Sequence, residues 1–187
     1  MRFKIWILIA FIINTVGCNT IKSTKSAVPV FDDKILFHSK FLFTDSSQIA
    51  HFECNNFATE ALSNYTFFLI NKNYVGFLNR SKKPIQNEYN QAVIDTIYTF
   101  NNSKNRIQIY RAVHRDFIFI FDVTDPIFSL KGNVRPGMTK ELFLHKFQIT
   151  ENINSQVQIG NKDGTQKFMF YFENNKIKRI NSYLYLD

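Results

Sequence analysis

The sequence predicts an α+β fold: an antiparallel β-meander, a short amphipathic helix and a set of C-terminal antiparallel strands. Three observations lead there. Between residues 92 and 123, three successive segments rich in β-branched and aromatic side chains are joined by short polar turns. Around Thr139, a capping residue precedes a short run with helical signals. From residue 156 onward the alternation of strands returns, punctuated by turn residues. With 45% apolar residues and 21 Phe, the chain has the side chains for a substantial core.

The chain opens Met1-Arg2-Phe3-Lys4 and then runs from Ile5 to Ile13 without a polar residue, which is the charged and then apolar pattern of a secretory signal. A permanent span needs about 20 apolar residues, and this run stops at Asn14. Thr15-Val16-Gly17-Cys18 follows, small residues leading to a cysteine. Residues 1–17 are therefore expected to be a lipoprotein signal peptide, with Cys18 the lipidated first residue of the mature chain. The other cysteine, Cys54, is then left without a disulfide partner and is expected to be a small buried hydrophobe. One acyl chain binds a membrane only marginally, so stable anchoring through Cys18 takes more than one.

Losing residues 1–17 removes Arg2 and Lys4, which lowers the net charge from +8 to +6. The positive charge is dispersed, with its densest clusters at Arg80-Ser81-Lys82-Lys83 and Lys176-Ile177-Lys178-Arg179, both expected to be solvated faces. Export argues against nucleic acid as a partner. Residues 18–30 are polar and small and read as a tether, whose Asn19–Pro29 part reaches at most about 35–40 Å when extended. Residues 31–80 are expected to form an N-terminal α/β lobe, and 91–187 an antiparallel sheet with a helix at 139–147.

Within the first lobe, residues 35–43 alternate as a strand, with Ile35, Phe37, Ser39, Phe41 and Phe43 on one face. Asp45-Ser46-Ser47 is expected to cap a helix running to about Leu62. Residues 65–70 and 74–78 read as a hairpin around Asn71-Lys72-Asn73. The charged, proline-containing stretch 79–90 reads as an internal boundary. The meander strands are 92–100, 106–113 and 117–123, the last apolar on both faces and so expected to be central. Thr139 is the expected N-cap of the helix, Glu141 suits the positive end of its dipole, and Met138 can pack on Phe143 as a staple. Strands 156–160, 165–172 and 176–186 complete the chain. Phe168, Phe170 and Phe172 share a face, and a bulge would bring Ile177 round to join Ile180.

Gly137-Met138-Thr139, the short helix and the strands after it resemble the Gly-Met-Thr helix start of small periplasmic lipoproteins of the BamE/SmpA type and of the related β-lactamase-inhibitor-like fold, over residues 134–187. That family is also anchored through an N-terminal cysteine. The resemblance implies a domain that assists outer-membrane assembly by binding proteins and lipid, without catalysis. Sorting rules known for lipoproteins, with no Asp directly after Cys18, imply the outer membrane and its periplasmic face.

No catalytic constellation is legible. His38, His51, His114 and His145 lie apart, without metal-ligand spacing, and no Gly-x-Ser-x-Gly elbow or phosphate-cradling loop is present. Asp125 before Pro126 and Asp163 before Gly164 read as turn residues. The sequence therefore leads to a non-catalytic, membrane-anchored lipoprotein with an envelope protein as partner and no metal or cofactor. The alternative is a module holding a lipid or a small apolar ligand. A hydrolase would need Asp122 or His114 to meet a second titratable group.

Overall fold

The computed structural model describes residues 35–113 and 115–184; Cys18 and the segments read from sequence as signal and tether, residues 1–30, lie outside them. The fold is α+β: nine strands in one mixed sheet with three short helices. In chain order the elements are β1 (Lys40–Thr44), β2 (Ala50–Glu53), α1 (Asn55–Glu60), α2 (Phe67–Asn73), β3 (Asn79–Gln86), β4 (Ile94–Asn101), β5 (Arg106–Arg111), β6 (Asp116–Val123), α3 (Lys140–Phe147), β7 (Gln156–Gly160), β8 (Lys167–Glu173) and β9 (Lys176–Tyr183). Across the sheet the order is β1-β2-β7-β8-β9-β6-β5-β4-β3. All neighbours are antiparallel except β2 and β7, which run parallel.

Register explains why one face is the core. Phe52, Ile159, Phe168, Ser182, Phe121, Ile107 and Phe100 are successive cross-strand partners from β2 to β4, and all are buried. Because side chains alternate along a strand, a row buried in register sends the intervening residues to the opposite face. The helices cover the buried face through aromatic rings. Phe57 of α1 packs on Phe168 and Phe170, Phe143 of α3 on Phe170 and Phe172, and Phe67 of α2 on Tyr98 and Phe100. Edge-to-face and offset rings at these separations add about 0.5–1.5 kcal/mol per pair beyond the area they bury.

Helix α3 forms where the local signals place it. The Thr139 hydroxyl accepts from the Leu142 N–H at 3.3 Å, Met138 and Phe143 are buried, and Gln148 ends the helix in the left-handed region at φ +51°. The bulge in β9 is also present: Tyr171 pairs with Arg179 but Phe172 with Ile177, so Ile177 and Ile180 both face the core. Strand β6 lies inside the sheet, between β5 and β9.

The segment before residue 90 departs from the sequence reading in four places. Asp45 caps a turn rather than a helix, accepting from the Ser47 and Ile49 N–H groups at 2.9 Å each. Residues 50–53 then pair with β7, and the helix that follows spans only Asn55–Glu60. The expected hairpin at 65–78 is instead α2, capped by Thr66, whose hydroxyl accepts from the Leu69 N–H at 3.3 Å. The stretch read as a boundary contains β3, an edge strand exposed along its whole length. Last, alternation in β1 is broken by a bulge at Leu42, so Phe41 packs on Phe52 while Phe43 stacks on His51.

Candidate functional site

The face of the sheet turned away from the helices carries the candidate site. Its central row, in register, is Gln158, Met169, Asn181, Asp122, Arg106 and Asn101. Tyr171 with Arg179, Ile120 with Tyr183, and Tyr110 with Phe117 are cross-strand pairs on the same face. Tyr183 is 57% exposed and Phe117 36%. The face thus mixes aromatic and aliphatic side chains with arginine and amides.

At one end of this face, the turn between β4 and β5 and the β8–β9 pair bound an open cleft of about 620 Å³. Lys104, Arg106, Lys178 and Arg179 line it, with Asp122 and the Tyr171 ring. Asp122 and Arg179 form a bidentate pair, Nε to Oδ1 at 2.6 Å and Nη2 to Oδ2 at 2.5 Å. The carboxylate beside it raises the pKa of the guanidinium further and keeps it charged. Lys178 reaches Glu173 at 2.6 Å on the outer rim, where both groups are more than half exposed, so this pair contributes little to stability.

One buried side chain holds the cleft's wall in place. Asn105, 3% exposed, accepts the Thr124 N–H at 2.8 Å and the Asp125 N–H at 3.2 Å through Oδ1. Its own N–H and side-chain amide donate to Asn102 Oδ1 at 2.9 and 3.0 Å. The β4–β5 turn is therefore tied to the end of β6 by an amide that uses both its oxygen and its nitrogen.

The residues singled out from sequence are scattered by the fold. Cys18 and His114 lie outside the described residues. Cys54, between β2 and α1, is buried, and burial raises the pKa of its thiol, which disfavours the reactive thiolate. His38 and His145 are exposed, while His51 pairs with Asp45 at 3.0 Å, which lowers the Asp45 pKa. Asp125 accepts the Ile127 N–H at 3.2 Å and Asp163 the Thr165 N–H and hydroxyl, both in turns. Asp122, weighed as an acid or base, is committed to Arg179. Among the described residues, no three histidine, cysteine or carboxylate side chains converge on a metal position, and no helix is long and apolar enough to cross a membrane.

Sequence reasoning missed the cleft. Lys178 and Arg179 stood out as a cluster, but their meeting with Lys104 and Arg106 depends on β9 lying beside β6, a pairing between segments 57 residues apart. The Arg80–Lys83 cluster lies elsewhere, on the far edge strand. No protein-family model, no curated protein and no solved structure matches this chain.

Proposed function

We propose that the protein is a lipid-anchored lipoprotein of the outer membrane, facing the periplasm, whose helix-free sheet face docks another envelope protein. The observation that carries this reading is the one-sided covering of the sheet: α1, α2 and α3 pack on one face, while the other presents Phe117, Tyr183 and Arg179 at its surface. Support for the anchor comes from the signal-like run ending at Cys18 and from the tether behind it. The Gly137-Met138-Thr139 start of α3, followed by three strands, supports kinship with BamE/SmpA-type lipoproteins, in which a domain of this kind binds proteins without catalysis.

The test uses site-specific photocrosslinking in intact cells of the source bacterium. A photoreactive residue replacing Tyr183, on the open face, is expected to give a discrete protein adduct, while the same residue replacing Leu142, exposed on α3, is not. Adducts of equal yield from both positions, or from neither, would overturn the docking face. The anchor is tested separately: labelled palmitate is expected in the wild-type chain and absent from Cys18→Ala.

A second reading, in which the protein holds a lipid or another apolar molecule, is favoured by one feature. An open cleft of about 500 Å³ beside α2 is lined by Ile70, Tyr74, Leu78 and Phe100, together with polar Asn71 and Arg80. Native mass spectrometry of the purified protein distinguishes the two, since a ligand-binding role predicts a stoichiometric co-purifying adduct.

A further inference from the structure

We propose that the cleft between the β4–β5 turn and β9 is an anion site that takes a phosphate ester of about sugar size. The proposal goes beyond docking by the sheet face and does not depend on it.

Charge is the first argument. Four cationic side chains, Lys104, Arg106, Lys178 and Arg179, converge on one concavity. Among the described residues that line the cleft, Asp122 is the one carboxylate, and Glu173 pairs with Lys178 beside it. Arg106 sits directly opposite Asp122 across the β5–β6 pairing, yet Asp122 gives both its oxygens to Arg179. Lys104 and Arg106 have no ion pair among the described residues. Asp122 engages Nε and Nη2 of Arg179, so it fixes the plane of the guanidinium and leaves the Nη1 donors to a ligand. A planar, pre-oriented donor of this kind suits a phosphate oxygen pair.

Rigidity is the second. Ordering flexible side chains and loops upon binding costs affinity, and preorganisation removes that cost. Here the turn that carries Lys104 and Arg106 is fixed by Asn105, buried and bonded to both sides of the cleft's wall. The other cationic cluster shows the contrast. On β3, Arg80, Lys82 and Lys83 are all exposed along an edge strand, and of the three only Arg80 lines the cleft beside α2.

Size and lining complete it. A volume of about 620 Å³ is larger than one phosphate needs, and the Tyr171 ring offers an apolar face to the body of an ester. Phosphate of this kind occurs on soluble phosphosugars and on phospholipid headgroups, and the cleft's chemistry is common to both.

The test is calorimetric titration of the full-length chain, solubilised in neutral detergent, with inositol hexakisphosphate at about 0.15 M salt, where long-range attraction is largely screened. The wild type is expected to bind saturably. Lys104→Ala/Arg106→Ala is expected to weaken binding by about tenfold or more, through loss of charge-assisted hydrogen bonds. Lys82→Ala/Lys83→Ala removes the same charge from β3 and is expected to leave affinity within about twofold of the wild type. Both pairs of side chains are exposed, and circular dichroism checks that each variant is folded; Lys178→Ala gives an independent reading from the opposite wall. Absence of saturable binding by the wild type, or equal weakening by the β3 variant, overturns the site. Competition between glucose 6-phosphate and dihexanoyl phosphatidylglycerol, a soluble short-chain lipid, then separates the sources. Whichever displaces the probe at lower concentration identifies the natural class, and either result supports a phosphate site.

Discussion

At the residue scale, single polar side chains tie distant parts of the chain together. Tyr65, ahead of α2, donates its hydroxyl to the Ser129 carbonyl at 3.1 Å and accepts the Ser129 N–H at 2.8 Å, spanning 64 residues of sequence. Both residues are buried, so Tyr65→Phe would leave two backbone groups without partners. Each such group costs about 1–3 kcal/mol, which sets the expected loss at a few kcal/mol near neutral pH. Burial also pushes the Tyr65 pKa well above 10. A raised pKa favours the protonated form in the folded state, so this stability is complete below pH 10 and is lost as pH rises through the folded value. The gap between wild type and Tyr65→Phe in urea unfolding should therefore narrow above pH 10. A gap that stays constant between pH 7 and pH 11 would show that the hydroxyl does not titrate in a buried site.

At the scale of elements, what could be read from sequence follows how local the deciding forces are. Helix α3 was legible because its cap and staple lie within six residues, from Met138 to Phe143. The alternation in β8 was legible because Phe168, Phe170 and Phe172 all point into one core. By contrast, Ala50 and Phe52 are strand residues because Val157 and Ile159 lie beside them, more than a hundred positions away, and no local pattern announces that. Strand β3 read as an internal boundary because an edge strand exposed on both faces has no apolar period. Its Lys82, Lys83 and Pro84 have a physical use: charge and proline on an edge discourage another chain from adding to it. Replacing all three with valine is expected to leave the fold intact and to cause self-association, visible as a concentration-dependent rise in light scattering. A variant that stays monomeric at high concentration would remove this role from β3.

At the scale of the whole molecule, β9 is the middle strand of nine, and its four-residue pairing with β6 is the seam between the two halves of the sheet. The halves interleave in sequence. One contains β1, β2, β7, β8 and β9, the other β3 to β6, so the first half cannot be completed until the second has been synthesised. Such non-local pairings slow folding, because loop closure must precede the contacts that reward it. Interleaving also predicts how the protein opens. Ile180, fully buried, pairs with Val123 across the seam and with Phe170 on its other side. Truncation to Ala is expected to cost about 2–5 kcal/mol. If the sheet is one cooperative unit, native-state hydrogen exchange of Ile180→Ala should show the amides of β4 and β5 losing protection together with those of β7 and β8, by a similar factor. Loss confined to β7 and β8 would mean that residues 79–123 open separately, and that the seam joins two units rather than running through one.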